Sequence, residues 1–300
     1  MRTTTDKRQF NPLNDFLFYK VMGEKGDEVQ LLGFLNAVLC RTGKPHFTSV
    51  EILEDKTFTP EIVGAKGSIL DVRAVLQGGT RVNVEVQLRN QGNMDKRSLF
   101  YWSREYTASL GEGLDYRELP DVISINIVNF SYLPSSDFHT CFHLREDRQK
   151  DLILTSALEI HFLDMVKYRK QAGKDNLEDP LHRWLVWFND GSPPELVTEV
   201  VKMDKAIQAA NERMVYVTGD KEAIRAYEMR MMALSDMVSE RNYVREQGLE
   251  EGRAEGRVKG HAEGRAEEKL EIARKMKARG WPLEEIAENT GLSPQAVEDL

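Results

Sequence analysis

The sequence predicts an α/β domain whose elements run α-β-β-β-α-β, followed by an all-helical C-terminal region. Three observations carry this. Apolar residues recur at helical spacing near the N-terminus. β-branched runs then appear four times, with one helical interval before the fourth. Beyond residue 150 the spacing and the capping signals are helical.

Leu13, Phe16, Leu17 and Val21 open a helical period, and Val29, Leu32, Leu35 and Leu39 continue it after a break over Gly23 to Gly26. Residues 50–58, 68–76, 80–88 and 121–130 alternate or are continuously apolar, and their β-branched content assigns them as strands. Between the third and fourth, residues 94–110 place Leu99, Trp102, Tyr106 and Leu110 on one helical face. A last strand is expected over 138–144, then helices over 152–170, 181–188, 194–210 and 221 to about 245. The expected divisions are 1–150 for the α/β domain, 151–245 for a helical domain, 246–279 for a glycine-rich helix and 280–300 for a short tail.

Composition narrows the class. Of 300 residues 41% are hydrophobic and 30% charged, which suits a globular chain and not a disordered one. No apolar run reaches the ~18 residues of a membrane span. The polar, mixed-charge N-terminus resembles neither a secretory signal nor a transit peptide, so a cytoplasmic protein with no membrane partner is expected. Cys40 and Cys141 cannot build a disulfide framework. With 41 Lys+Arg against 49 Asp+Glu, net charge alone will not capture nucleic acid; only 241–279, with 11 basic and 8 acidic residues, is locally basic.

Gly248, Gly252, Gly256, Gly260 and Gly264 recur every fourth residue, flanked by an acidic column (Glu251, Glu255, Glu263, Glu267) and a basic one (Arg253, Arg257, Arg265). Each helical glycine costs about 1 kcal/mol against alanine, which a lone helix cannot recover. A close-packed partner helix can, with the charged columns pairing at its rim. A homo-oligomer through 248–266 is therefore expected, the other reading being a solvated, repeat-derived linker. In the tail, Pro282 is expected at a first helical position, Gly291 as a stop, and Ser293-Pro294 as an N-cap with proline at N1. This spells helix-turn-helix, but with Gln295 as the one base reader and Glu298 and Asp299 repelling phosphate, a packing hairpin is favoured over a DNA reader.

The chemistry lies in residues 68–89. Val82, Val84, Val86 and Leu88 form one strand face, leaving Arg81, Asn83, Glu85 and Gln87 on the other. In the preceding strand Leu70, Val72, Ala74 and Leu76 are apolar, with Asp71 and Arg73 opposite. A three-residue turn at Gln77-Gly78-Gly79 pairs Leu76 with Thr80, keeps both apolar sets on one core and sets Asp71 across from Glu85. Two carboxylates so close share a proton or a divalent cation, and hard oxygen ligands suit Mg²⁺ or Mn²⁺. The pattern alone also fits a cross-strand charge network of Asp71, Arg73, Arg81 and Glu85 on a solvent face.

Asp71 followed by Glu85-Val86-Gln87, inside the α-β-β-β-α-β order, resembles the PD-(D/E)XK nuclease fold. More narrowly it resembles the recombination-promoting nuclease and transposase-like family. The supporting strings are Asn14-Asp15 with Phe18 and Lys20, Phe34 to Leu39, Leu70-Asp71-Val72, Val84 to Gln87, Arg97 with Tyr101-Trp102-Ser103, Asp179-Pro180-Leu181 with Trp184, the glycine ladder, and the Ile286 to Leu292 tail. The resemblance implies a metal-dependent DNA endonuclease of low sequence specificity, with DNA as partner and a possible part in recombination. Asp71 and Glu85 are then the metal ligands, and Gln87 stands where a lysine is commoner, able to orient water and phosphate but bringing no charge. Asp15 is a candidate auxiliary acid, with capping or surface charge as its other reading. Arg97 and Tyr101 are candidates to bind a DNA phosphate, or to pack and cap. The alternative of another class is a non-catalytic helical oligomer that binds DNA or protein through its tail.

One further cluster stands apart from this motif. His139, Cys141 and His143 alternate on one strand and share a face, but three soft donors fall short of a four-ligand site, and no supporting residues are readable.

Overall fold

The computed structural model describes residues 10–26, 28–53, 71–109, 115–171 and 176–300. Two compact units, Met1–Ala233 and Leu234–Leu300, divide the chain.

The first unit opens with helices α1 (Asp15–Met22) and α2 (Val29–Leu39), then strands β1 (Val50–Ile52), β2 (Val72–Leu76) and β3 (Arg81–Gln87). Helix α3 (Met94–Thr107) leads to strands β4 (Val122–Val128), β5 (His139–Phe142) and β6 (Leu158–Asp164). Helices α4 (Met165–Lys170), α5 (Pro180–Phe188), α6 (Pro194–Met203), α7 (Lys205–Gly219) and the start of α8 (Lys221–Ala278) complete it. The expected α-β-β-β-α-β order is present. The six strands form one sheet in the order β1-β2-β3-β4-β6-β5, antiparallel at both ends and parallel where β3, β4 and β6 adjoin. Parallel strands are covered on both faces, which is why β4 and β6 are buried along their whole length.

The main core lies on one sheet face, where Val82, Val84, Ile123, Ile125 and Ile127 meet Phe16, Leu17, Phe34, Leu35, Trp184 and Ile207. The opposite face carries a smaller cluster in which Met94 and Trp102 of α3 pack with Val128, Leu158, Ile160 and Phe162. Caps fix the helix starts by satisfying N–H groups that have no partner within the helix. Asn14 accepts from the Leu17 N–H at 3.2 Å, and Asp179 from the Leu181 N–H at 2.8 Å.

Several expectations are corrected. Residues 152–170 are not one helix: Leu158–Asp164 forms β6, inserted between β4 and β5, and only Met165–Lys170 is helical. The strand was hidden because Glu159 and His161 break its apolar run while both are buried. The expected boundary at 150 consequently falls inside the first unit. The helix expected over 194–210 is two, divided at Asp204, whose backbone is extended and whose carboxylate caps α7 through the Ala206 N–H at 3.0 Å. On α3 the buried residues are Met94, Ser98 and Glu105; of the expected apolar face Trp102 packs on the sheet while Leu99 is exposed, so that face is turned to the sheet only in part. The sheet surface beneath α3 is polar at β3, and the helix answers it with polar side chains. The expected strands over 50–58 and 68–76 are described only at 50–52 and 72–76; residues 54–70 and Leu110 lie outside the described residues.

In the second unit α8 continues as helix through all five ladder glycines, and a Cβ built on any of them meets no atom within 4 Å. Helices α9 (Leu283–Thr290) and α10 (Pro294–Glu298) then close a small cluster of Ala273, Ile286 and Val297. Gly291 sits at φ +68°, a left-handed stop, and Ser293 caps the Ala296 N–H at 3.2 Å. Pro282 is the N-cap of α9 and not its first helical residue. Lys277 holds the Val297 and Glu298 carbonyls at 3.1 and 2.8 Å, so the tail is a packed hairpin on the end of its own helix. No helix among the described residues is long and apolar enough to cross a membrane.

Candidate active site

The site is built on the β2–β3 hairpin. Gly78 and Gly79 both adopt φ +91°, a region closed to most side chains, and the Leu76 N–H donates to the Thr80 carbonyl at 2.8 Å. That three-residue turn sets the register Val72↔Val84, Arg73↔Asn83 and Ala74↔Val82. Continued by one pair, it brings Asp71, immediately before β2, across from Glu85, as the alternation of apolar residues predicts.

Glu85 is 3% exposed, under α3. Its Oε1 accepts from Arg97 Nε at 2.7 Å and Nη2 at 2.6 Å. Its Oε2 is buried and has no hydrogen-bond partner among the described residues. Burial pushes the Glu85 carboxyl above its ordinary pKa; the Arg97 hydrogen bond and charge pull it back, and the Asp71 charge raises it again. Tyr101 lies under the Arg97 guanidinium, 5.1 Å from ring centroid to Cζ. The Tyr101 hydroxyl is raised by burial, against the pull of Arg97, with the charges of Glu85 and Asp71 adding to the rise. Asp71, Glu85, Arg97 and Tyr101 are thus one electrostatic group.

Two other candidates are placed differently. Gln87 ends β3, half-buried, with its amide Nε2 donating to the Arg89 carbonyl at 3.2 Å. Asp15 is clamped by Arg230 of α8, which reaches its two carboxylate oxygens at 3.1 and 3.0 Å through Nε. At the start of α1 Asn14 is the N-cap, and Asp15 Oδ1 also accepts from the Phe16 N–H at 2.9 Å, so the capping reading of Asp15 has a contact behind it.

Residues 12–244 match the family model described as PD-(D/E)XK nuclease family transposase. The chain belongs to this family. No curated protein and no solved structure matches it.

In this PD-(D/E)XK chain the surface around the hairpin is more polar than the motif alone suggests. Glu105 of α3 pairs with Arg73 and with Arg81, the latter at 3.5 Å. Ser98 bridges to Asn126 of β4 at 3.0 Å. Asn83 and Ser124 are buried on the same sheet face, with Asn83 Oδ1 and Ser124 Oγ unpartnered among the described residues. The predicted cross-strand charge network therefore exists in part, but Arg73 and Arg81 are committed to Glu105, and the face is covered, not solvated. Arg97 and Glu105 lie eight residues apart on α3, a little over two turns, so both fall on the same broad side of the helix. That spacing of a base and an acid, set opposite charged strand residues, was the available signal for the covered polar face.

Chemically, a buried carboxylate oxygen with no donor among the described residues, on a strand position across from a second carboxylate, fits a divalent cation with oxygen ligands. Arg97 supplies one positive charge to Glu85 through Oε1, and Oε2 has no hydrogen-bond partner among the described residues.

Proposed function

We propose that the protein is a Mg²⁺- or Mn²⁺-dependent DNA endonuclease of low sequence preference, with Asp71 and Glu85 as metal ligands and a role in DNA recombination. The observation that carries this is the buried Glu85 Oε2, without a hydrogen-bond partner among the described residues, on the strand position across from Asp71. When bound, the ion's chemistry is Lewis-acid polarisation of the scissile phosphate and a lowered pKa for the attacking water. Asp71 and Glu85 orient that centre at the open end of the hairpin. The Gln87 amide positions water through its carbonyl and donates through its NH₂, which it can turn from the Arg89 carbonyl. Arg97 has five N–H donors and gives two nitrogens to Glu85, so a third remains for a DNA phosphate, with the Tyr101 hydroxyl beside it. Asp15, clamped by Arg230, contributes as a positioning group that holds α1.

Plasmid nicking by purified protein, with metal titrated in and removed by chelator, tests the reading. Cleavage that persists in chelator would sink it. Gln87→Ala is expected to lower the cleavage rate about 10- to 100-fold while metal still binds, since one neutral hydrogen-bonding group is lost. Gln87→Lys is expected to be tolerated or faster. Loss of metal binding in Gln87→Ala, measured by calorimetry, would make Gln87 a ligand instead.

The homo-oligomer is proposed through 248–266. Five glycines and a helix that stays intact through them, exposed and with open space at every glycine, suit a second copy packed closely on this stripe. Truncation after Gln247 spares the whole first unit, so light scattering should report a lower mass while metal binding is unchanged. An unchanged mass would place the interface elsewhere.

A further inference from the structure

We propose that Cys141, His143, Glu159 and His161 form a zinc site, separate from the Asp71–Glu85 pair and independent of the nuclease reading. The sequence offers three alternating donors, His139 and Cys141 on β5 and His143 just after it; the fold adds two more from β6. Cys141 pairs directly with His161 in the β5–β6 ladder, and His143, just past the end of β5, reaches Glu159 Oε2 with its Nε2 at 3.6 Å. Four donors therefore gather at this end of the ladder.

Cys141, Glu159 and His161 have the spacing of a coordination shell, and His143 stands beside the sulfur. Cys141 Sγ lies 3.8 Å from each of three other donors, His143 Nδ1, Glu159 Oε1 and His161 Nε2. The ligand atoms of Cys141, Glu159 and His161 all lie within 4.8 Å of one another. Bonds of about 2.3 Å to sulfur and about 2.0 Å to nitrogen or oxygen make the sulfur edges of a tetrahedron about 3.5 Å, so a few tenths of an ångström of contraction suffices. A thiol donates one proton and its sulfur accepts only weakly, so hydrogen bonds would hold three groups round the sulfur weakly, whereas one ion would hold all of them.

The surroundings are those of oriented ligands. His161 is fully buried, and its Nδ1 meets His139 Nε2 at 2.9 Å, which leaves Nε2 to face the centre. Glu159 is 1% exposed; Thr42 donates to its Oε1 at 2.9 Å and Lys44 pairs with its Oε2 at 3.1 Å, so the carboxylate can ligate through Oε1 while Oε2 stays with Lys44. Without metal, His161 Nε2 and Glu159 Oε1 share a hydrogen bond of 2.8 Å, which opens as both turn to the ion. Binding releases the Cys141 thiol proton to solvent. The resulting thiolate and the carboxylate then balance the two charges of Zn²⁺, with two neutral imidazoles completing a set of one sulfur, two nitrogens and one oxygen. Such a soft, mixed set selects zinc over magnesium. All four protein positions being filled, the site is structural: it clips the edge strand β5 to β6.

The test uses the full-length, metal-stripped protein and Co²⁺ as a spectroscopic probe, followed by Zn²⁺. One equivalent of Co²⁺ should give a thiolate-to-metal charge-transfer band. The band should persist in Asp71→Ala, weaken in His143→Gln and vanish in Cys141→Ser, each variant being confirmed as folded by circular dichroism. As a second readout, Zn²⁺ at ~100 times its Kd should slow alkylation of Cys141 about 100-fold and leave the exposed Cys40 unaffected. A folded wild-type protein with no charge-transfer band, a band retained in Cys141→Ser, or equal alkylation of Cys141 with and without zinc would each overturn the proposal. Those outcomes would make the cluster a hydrogen-bonded network only.

Discussion

Cleavage is expected to fall by about 10³-fold or more in Asp71→Ala and in Glu85→Gln, because losing a metal's several kcal/mol of transition-state stabilisation costs roughly a decade per 1.4 kcal/mol. The two substitutions differ in what else they disturb. Asp71 is half-buried immediately before β2, so its alanine variant should stay folded. Glu85 is buried and answers Arg97, so removing its carboxylate as alanine would strand a guanidinium beneath α3. Glutamine keeps the shape and a carbonyl for Arg97 but loses the charge that a metal needs. Plasmid cleavage together with isothermal titration of Mn²⁺ reads both effects. If Asp71→Ala binds Mn²⁺ as the parent does and still nicks DNA, the carboxylate pair is not the metal site, whatever the family.

The hairpin was the most legible part of the chain, for a reason specific to strands. A period of two, pinned by one turn, allows only one register that keeps Val72, Ala74, Val82 and Val84 on the same core, and two consecutive glycines at positive φ supply that turn. Strand β6 was not legible. Its alternating Glu159 and His161 look like a solvated stripe, yet they are buried because Thr42, Lys44 and His139 satisfy them from elsewhere in the fold. The same failure hid the partner of Glu85. Arg97 reads as a surface base on an amphipathic helix until α3 is known to lie with its polar side on the sheet. Contacts between distant segments decide such cases, and a one-dimensional pattern holds no record of them. For that reason the alternating donors His139, Cys141 and His143, on and just after β5, could be seen from the sequence, while the β6 donors could not.

A fragment ending at residue 150 is expected not to fold, and Trp184→Ala is expected to cost the full-length chain roughly 3–5 kcal/mol, the range for truncating a buried aromatic. The two outcomes have one cause: the segment beyond 150 is part of the first unit's interior. Strand β6 lies between β4 and β5, so the fragment would leave the β4 edge open and β5 with no neighbour among the described strands. Trp184 is fully buried, with its ring 5.6 Å from Phe34 of α2 and 5.6 Å from Phe188. Helix α7 presses on α2 where Gly33 leaves room: a Cβ there would stand 2.2 Å from Ala206 Cβ. Helices α5 and α7 thus supply the wall against which α2 packs, and α2 in turn packs on the sheet that carries Glu85. Urea unfolding followed by circular dichroism measures the Trp184 cost, and amide exchange of the 1–150 fragment reports whether its strands are protected. A cooperative transition in that fragment, at the midpoint of the parent, would show instead that the sheet closes without β6 and that residues 151–233 form a domain of their own.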